Sequence, residues 1–375
     1  MTSATSRLTR RVIVGGYGAF GWRAARLLSS DPSLGLVLTG RDPARAADAA
    51  VELRQTARST VESAALDASA ATAHDVAALA PNVVINASGP FQKGTYALAE
   101  ACIGAGCHYI DLADARGFVA GIPAFDTLAR NADVLVVSGA SSVPGLSSAV
   151  VRSYAPEFSS LTSLDIGIAP GNSFDPGVGT VESVLGGVGA PLAMKLGGGW
   201  RRVHGWQGLR LQNFGEAGRR FVGYVDVPDL DLFAHHYPSL ETIRFQAGLE
   251  VSLFHLGLWG GSWLVRGGLL QKPERFASRL LAAKKWLSFL GSDKGGMYVV
   301  MQGLDHAQQP KRLTWRLTAR SGHGPFIPAL ASVALARRLV NGTETRRGAM
   351  ACFGLVTLDE FKQECAGLDI DWTCT

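Results

Sequence analysis

The stretch VIVGGYGAFGWRAARLL, residues 12–28, constrains the fold more than any other part of the chain. Apolar residues typical of a buried strand run directly into a glycine-rich turn, and a helical pattern begins at once. The turn follows the pattern G-x-G-x-x-G, which between a strand and a helix marks the start of a β-α-β unit. Such a turn either binds the pyrophosphate of a dinucleotide or is only a tight connection. We favour binding and predict contacts from Gly16, Tyr17, Gly18, Ala19, Phe20 and Gly21.

The end of the second predicted strand, LTGR at 38–41, distinguishes between the two common dinucleotides. Units that prefer NAD carry an Asp or Glu about 20 residues beyond the turn, where it binds the ribose 2′-hydroxyl. Arg41 occupies that place, 20 residues after Gly21. Because a guanidinium can bind a 2′-phosphate through two hydrogen bonds, and Gly40 would leave room for it, we predict NADP(H). Asp42 would favour NAD(H), but before Pro43 it is better explained as a helix cap.

Two further segments at strand ends are predicted to complete the cofactor site. Asp67 ends the third predicted strand and is expected near the adenine; the alternative is a helix N-cap. Ligands of open α/β sheets bind outside the carboxyl ends of the strands. We therefore also predict contacts from the residues that follow the fourth strand, Ala87, Ser88, Gly89 and Pro90.

Strand and helix patterns alternate through the first 145 residues, which predicts a Rossmann-type parallel sheet. After that point Ser, Gly and Pro become frequent, and longer strands with alternating polarity follow, as in KRLTWRL. We predict an α/β protein whose second domain, residues 146–324, is an α+β substrate-binding domain with a mixed or antiparallel sheet. A C-terminal helix at about 325–375 is expected to pack back on the first domain.

Composition excludes several classes of protein. The net charge of +5 comes from scattered Lys and Arg, so no nucleic-acid partner is predicted. Five cysteines without a C-x-x-C pair, and histidines without ligand spacing, give no reason to expect a disulfide framework or a metal. No apolar signal core precedes the first predicted strand, so we expect a cytoplasmic location. A small-molecule substrate is expected, and a homodimer is among the assemblies left open.

One apolar stretch complicates the cytoplasmic interpretation. LFHLGLWGGSWLVRGGLL, residues 253–270, carries Arg266 as its one unambiguous charge, and a basic amphipathic stretch follows up to residue 290. A spanning helix needs roughly 20 apolar residues, and the glycines argue against one here. We favour a buried helix beside an amphipathic surface helix, with peripheral membrane or lipid contact through 253–290 as the alternative.

Three motifs connect the chain with a known family. NASGPF follows the fourth strand, ACIGAGCHYID follows the next helix, and SGASSVPGLS lies at the predicted domain junction. Together with the looser PGVGTVES, VDVPDL and SGHGP, they resemble the saccharopine dehydrogenase-like (saccharopine reductase-like) oxidoreductases. The resemblance implies an NADP-type domain followed by a substrate domain. It also implies reduction of an imine formed between an amino acid and an aldehyde, or its reverse, while other members resemble reductases of C=C bonds in lipid-type substrates.

The second half departs from what saccharopine itself would require. A substrate with several carboxylates calls for clustered arginines. Candidates exist, but paired arginines are more often solvated, and the segments between them are rich in Leu, Trp, Phe and Gly. We therefore predict a larger or more apolar substrate. The candidates are Arg201, Arg202, Arg219, Arg220 and Arg244.

The nicotinamide carries the hydride, so the protein must orient the acceptor and handle one proton. We predict Asp111, Lys93 and Tyr109 as the catalytic residues, Tyr109 and Asp111 sharing one face of a strand. The alternatives are a core tyrosine and a solvated loop lysine. The predicted function is NADP(H)-dependent reduction of a C=N bond; the rivals are an enoyl (C=C) reductase and a non-catalytic NADP-binding protein at a membrane surface.

Overall fold

The computed structural model describes residues 9–375 and divides the chain into two compact units. The first unit comprises the chain up to Ala113 together with Phe118–Ser141 and Pro328–Cys352. The second comprises Asp114–Gly117, Ser142–Ile327 and Phe353–Thr375. The N-terminal residues 1–8, to which the prediction of no signal core in part refers, lie outside the described residues.

Sixteen strands are defined within the described residues. They are β1 (Thr9–Val14), β2 (Leu34–Gly40), β3 (Thr60–Ala65), β4 (Val83–Asn86), β5 (His108–Asp111), β6 (Leu135–Ser138), β7 (Ser160–Ala169), β8 (Pro191–Leu196), β9 (Gly199–His204), β10 (Arg210–Asn213), β11 (Arg219–Tyr224), β12 (Thr242–Gly248), β13 (Gly295–Leu304), β14 (Pro310–Ala319), β15 (Gly348–Ala351) and β16 (Ile370–Cys374).

Thirteen α-helices connect them within the same residues. They are α1 (Gly21–Leu28), α2 (Pro43–Arg54), α3 (Ala73–Ala78), α4 (Ala97–Gly104), α5 (Arg116–Gly121), α6 (Asp126–Asn131), α7 (Ser147–Tyr154), α8 (Val178–Gly187), α9 (Asp229–His236), α10 (Ser252–Arg266), α11 (Ala277–Trp286), α12 (Ile327–Val340) and α13 (Leu358–Glu364).

The first unit is built on a seven-stranded sheet in which every pair of neighbouring strands is parallel. Its order is β3-β2-β1-β4-β5-β6-β15, so the chain reverses direction across the sheet between β1 and β4. Strands β4 and β6 are buried at all four positions, as expected for a sheet with helices on both faces. The predicted Rossmann-type sheet is confirmed. Its reversal point is where such folds bind ligands, at the carboxyl ends of the strands.

The second unit contains a seven-stranded mixed sheet in the order β10-β11-β12-β7-β13-β14-β16. Strands β12 and β7 are parallel and the other neighbours are antiparallel, which confirms the predicted mixed sheet. In β14 the predicted alternation is only partly right, because Thr314 and Thr318 are 7% exposed although they alternate with the buried Trp315. The short helical turn Gly215–Ala217 contacts this side of β14 and β13.

The C-terminal segment differs from the single helix predicted at about 325–375. Helix α12 ends at Val340, and the chain then forms β15, α13 and β16. Strand β15 extends the parallel sheet of the first unit, whereas β16 pairs with β14 in the second unit. The sequence GAMA of β15 holds only Gly, Ala and Met and no β-branched or aromatic residue, so it carries little strand signal.

The apolar stretch 253–270 forms α10 and the turn after it. Helix α10 has 15 residues, and no helix among the described residues is long and apolar enough to cross a membrane. The prediction that this stretch forms a helix is correct. The prediction that it is buried is wrong for its outer side, since Leu253 is 72% exposed.

Candidate cofactor-binding site

The glycine turn is held against the end of β2 by backbone hydrogen bonds. The amides of Gly15 and Gly16 both donate to the carbonyl of Thr39, at 3.0 and 3.3 Å, and Gly18 donates to the carbonyl of Gly15 at 2.8 Å. Gly15 has φ +70°, a conformation that favours glycine. A Cβ on Gly21 would collide with the carbonyl of Gly15, so the start of α1 packs directly on the turn. This is the close approach for which the third glycine of the pattern was predicted.

Helix α1 starts at this turn without a side-chain cap in the described structure. The amides of Trp22 and Ala24 already donate to the carbonyls of Gly18 and Phe20, both at 3.0 Å, so the helical hydrogen bonds begin within the glycine turn itself. The positive end of the helix dipole at this turn favours an anion. The turn and the start of α1 therefore fit a pyrophosphate, which is what the sequence pattern predicted.

The space over Gly40 is used differently from the prediction. The Tyr17 ring lies where a Cβ of Gly40 would be, so this glycine makes room for an aromatic ring and not directly for a phosphate. The Tyr17 hydroxyl accepts a 3.4 Å hydrogen bond from the amide of Asp42, and the Arg45 guanidinium carbon lies 4.7 Å from the ring centroid. Tyr17 is thus fixed between the glycine turn and the first turn of α2, with Arg45 stacked on it.

Arg41 and its neighbours provide positive charge at this edge of the sheet. Arg41 is exposed, and its charge contributes to lowering the pKa of Asp67. Asp42 caps α2 by accepting hydrogen bonds from the amides of Ala44 and Arg45, at 3.0 and 3.2 Å, as its position before Pro43 predicted. Since Asp42 is occupied by the helix start, it does not reverse the preference for a 2′-phosphate at Arg41.

Asp67 is exposed at the end of β3 and is held by a turn of its own. Its Oδ1 accepts hydrogen bonds from the amide and the hydroxyl of Ser69, at 2.9 and 2.7 Å, and these bonds are the main reason that its pKa is lowered. The cap of α3 is Thr72, which excludes the N-cap alternative for Asp67. The contact of Asp67 with the adenine stays a prediction.

The segment after β4 lies next to the glycine turn. A Cβ on Gly15 would be 3.2 Å from the carbonyl oxygen of Ala87, and Ser88, Gly89 and Pro90 are exposed. Asn86, which the sequence reasoning did not select, organises this segment: its Oδ1 accepts from the amide of Ser88 at 3.0 Å. The structure therefore brings the two predicted cofactor segments, 16–21 and 87–90, to one edge of the sheet.

Asp111 is fully buried at the end of β5. Its Oδ1 accepts from the amide of Ala113, the hydroxyl of Ser138 and the amide of Gly139, at 2.9, 2.9 and 2.8 Å. Its Oδ2 has no hydrogen-bond partner among the described residues. Burial raises the pKa of Asp111 to about 6, against the opposing effect of these hydrogen bonds. Asp111 therefore joins the carboxyl ends of β5 and β6 through Oδ1, and the neighbouring Tyr109 hydroxyl also helps to lower its pKa.

The other two predicted catalytic residues have different surroundings. Tyr109 is 1% exposed, and its hydroxyl accepts a 3.0 Å hydrogen bond from Asn86 Nδ2. Burial raises the pKa of Tyr109 well above its usual value, so the phenol stays neutral. Lys93 is exposed at the end of a short 3-10 turn, Phe91–Lys93. Tyr109 thus has the core position that was its alternative, whereas Lys93 lies at the surface.

The comparisons with known proteins agree with this geometry. Residues 12–136 match the family model described as the saccharopine dehydrogenase NADP binding domain. This segment, one third of the chain, is therefore similar to the NADP-binding domain of saccharopine dehydrogenases. The match to an NADP-binding domain agrees with the preference for NADP(H) that was predicted from Arg41.

The saccharopine dehydrogenase-like fold extends beyond the matched segment. The structure resembles saccharopine dehydrogenase (L-Glu forming) from Saccharomyces cerevisiae, with a TM-score of 0.67 over 98% of this chain and 100% of that one, at 12% identity. A meso-dapdh mutant from Clostridium tetani is similar over 95% and 99% of the chains with a TM-score of 0.45 at 13% identity. No curated protein sequence matches.

In the second unit, the predicted arginine candidates divide into buried and solvated ones. Arg220 is 2% exposed and donates to the carbonyls of Ala169, Pro170 and Lys294 at 2.7–2.9 Å. Arg244 donates to Asp165 at 3.0 Å. The remaining three are exposed: Arg201, Arg202 and Arg219. Two of the five are therefore already engaged by the fold.

The VDVPDL motif contributes a carboxyl group that sequence reasoning did not select. Asp229 is fully buried at the start of α9, and its two carboxyl oxygens have no well-aligned hydrogen-bond donor among the described residues. Burial raises the pKa of Asp229 to about 7, with the Ser147 hydroxyl lowering it. An aspartate after a proline is common at the start of a helix, so Asp229 did not stand out. The only signal that could have found it was its place in the VDVPDL motif.

Proposed function

We propose that this protein is an NADPH-dependent reductase that reduces the C=N bond of a fairly apolar small molecule. The proposal starts from the NADP-binding domain at 12–136. The observation that carries the substrate class is the state of the arginines in the second unit. Arg220 holds three backbone carbonyls and Arg244 is paired with Asp165, so neither is available to bind the carboxylates of a saccharopine-type substrate.

When bound, NADPH supplies the hydride. The glycine turn and the start of α1 would hold its pyrophosphate, and Arg41 with Arg45 would hold the 2′-phosphate. The Tyr17 ring supports Arg45, so it contributes to the same subsite. These residues bind and orient the cofactor; none of them handles a proton.

Asp111 is proposed as a positioning residue. Its Oδ1 fixes the Ser138–Gly139 backbone at the carboxyl end of β6, where ligands of such sheets bind. A buried carboxyl with a pKa of about 6 is also a competent proton holder near neutral pH. Both roles require the buried carboxyl group in its present place.

A deuterium-transfer assay tests the bond type. The protein is incubated with NADPH deuterated at C4 and with amine–aldehyde pairs of increasing apolar size, and the products are analysed by mass spectrometry and NMR. We expect deuterium on a carbon bonded to nitrogen. NADPH that binds but transfers deuterium to no imine in the set, while transferring it to an enoyl thioester, would overturn the C=N proposal.

One observation favours the enoyl reductase as the second candidate. Large apolar side chains are exposed between residues 253 and 290, as a protein that meets lipid-type substrates would need. In that case deuterium appears at the β-carbon of the thioester. Saturable NADPH binding without transfer to either class of acceptor would instead favour the non-catalytic rival.

A further inference from the structure

The segment from Leu253 to Leu290 exposes an unusual number of large apolar side chains. The four most exposed are Trp286 at 84%, Leu269 at 82%, Phe289 at 76% and Leu253 at 72%. The surfaces of soluble proteins usually carry such residues singly, so a group of them marks an interaction site. Ten of the fifteen exposed large apolar residues among those described belong to this segment: Leu253, Leu256, Trp263, Leu264, Leu269, Phe276, Leu280, Trp286, Phe289 and Leu290.

In helix α10 the exposed apolar side chains lie together on one side of the helix. One side of the helix packs inward, with His255 and Ser262 fully buried and Leu258 and Val265 packed against the cluster around Trp206. The opposite side is exposed and also apolar, with Leu, Leu, Trp and Leu at positions 253, 256, 263 and 264. This spacing forms one face of a helix. The face turned to solvent therefore lacks the charges that a surface helix normally carries there.

The positive charge of the chain is concentrated in the same segment. Residues 253–290 contain six Lys and Arg and one acidic residue, Glu274, in a chain whose net charge is +5. Lys284 donates to backbone carbonyls and Lys285 pairs with Asp175, so these two are used within the fold. The exposed cations of the segment that remain for a partner are Lys272, Arg275 and Arg279, besides Arg266 on Trp263.

A spanning helix does not account for these features. The 15 residues of α10 correspond to about 22 Å of helix, against roughly 30 Å of hydrocarbon in a bilayer. Exposed Trp, Phe and Leu beside Lys and Arg are instead the composition of an interfacial segment, which buries apolar side chains at the headgroup boundary and places cations on anionic lipids.

We infer that residues 253–290 dock this protein onto the surface of an anionic lipid bilayer. Leu253, Leu269, Trp286 and Phe289 enter the boundary between headgroups and acyl chains. Lys272, Arg275 and Arg279 contact the anionic headgroups. The docking does not depend on the reaction proposed above, because it uses none of the cofactor-binding residues.

The test is flotation of the full-length protein with vesicles of phosphatidylcholine alone or mixed with phosphatidylglycerol. We expect binding to the mixed vesicles that weakens as salt is raised, since salt screens the attraction of the basic residues. Tryptophan fluorescence should be quenched by lipids brominated in the upper acyl chain, and the W286F variant should lose much of that quenching. Binding that is equal on both vesicle types and insensitive to salt would contradict the proposal that the protein docks onto an anionic bilayer.

Two variants separate the apolar from the electrostatic contribution. The double substitution Trp286→Ser, Phe289→Ser should abolish flotation. The triple substitution Lys272→Gln, Arg275→Gln, Arg279→Gln should weaken it on mixed vesicles by about fivefold per charge removed. Matched controls are Leu128→Ser, at 56% exposure in α6, and the Arg201→Gln, Arg202→Gln pair in β9, which should leave flotation unchanged.

A second copy of this chain is the competing occupant, and the same variants distinguish it. If the wild type fails to float but sediments as a dimer that Trp286→Ser, Phe289→Ser converts to a monomer, the membrane proposal is wrong. Near-ultraviolet circular dichroism and the thermal midpoint of each variant must match the wild type. Flotation of natively folded double variant at the wild-type level would equally overturn the proposal.

Discussion

Two parts of the molecule are comparably apolar in sequence but opposite in structure. In the parallel sheet, β2 and β4 are buried at every position, because helices cover both faces. In α10 and the segment after it, apolar side chains continue around to the solvent side. Apolar character alone therefore does not predict burial. The number of neighbouring elements that can cover a residue decides it, and the exposed remainder indicates a partner.

The largest expected effect contrasts a leucine from each part. Leu28 in α1 is 0% exposed, so Leu28→Ala should lower the free energy of unfolding by about 2–5 kcal/mol through lost burial and a cavity. Leu253→Ala in α10 should change it by about 0.5 kcal/mol or less. Urea unfolding of both variants measures this difference. Similar losses at the two positions would mean that the exposed side of α10 is covered in solution.

Asp111 provides a pH-dependent test of the first unit. Its pKa in the folded protein, about 6, lies above the ordinary 3.8, so burial of its charge destabilises the folded state. Below about pH 4 the carboxyl is protonated in both states and costs no stability. As the pH rises through 6, the free energy of unfolding falls by about 3 kcal/mol in total. Subtracting the unfolding free energies of Asp111→Asn from those of the wild type at each pH isolates this loss. A flat difference would show that the carboxyl is not buried.

The same Asp111→Asn variant tests the proposed role in the reaction. Turnover should fall while NADPH affinity remains near the wild-type value, because Asp111 positions the end of β6 and does not contact the predicted phosphate subsites. Unchanged turnover would remove Asp111 from the mechanism. Steady-state kinetics and a fluorescence titration with NADPH give the two quantities separately.

Arg41→Glu tests the 2′-phosphate subsite. A charge-assisted hydrogen bond contributes about 1.5–3 kcal/mol, so NADPH affinity should fall by about 10- to 100-fold, with a much smaller change for NADH. Titration of cofactor fluorescence measures both. The control is Arg58→Glu, because Arg58 is exposed. Arg54 is unsuitable as a control, because its side chain donates to the carbonyl of Val61. Equal losses for the two cofactors would contradict the assignment of Arg41.

The smallest expected effect concerns the backbone of α10. Gly257 has nothing within 4 Å of the place where its Cβ would be, so Gly257→Ala should raise the free energy of unfolding by about 0.5–1 kcal/mol. Urea unfolding detects this change. A loss of stability would indicate a close neighbour at this surface in solution, which would remove the contrast with the covered elements of the first unit.

Local patterns were enough for the first unit and for the start of its site. The glycine turn and the Asp42 cap were found from spacing, because each depends on residues close in the chain, while the role of Arg41 stays a prediction. The sequence did not predict the surroundings of Gly40, because the Tyr17 ring reaches Gly40 from the glycine turn. Strand β15 was also missed, because its sequence GAMA has little strand propensity and the strand is formed by pairing with β6.

The sequence by itself determined the Rossmann-type sheet, the NADP preference and the helical nature of residues 253–266. Those properties follow from glycine, charge and periodicity over short stretches. The tertiary structure alone decided that Asp111 and Asp229 are buried, that Arg220 and Arg244 are engaged within the fold, and that the outer side of α10 is exposed. Burial and pairing depend on which distant elements pack together, and no local pattern records that.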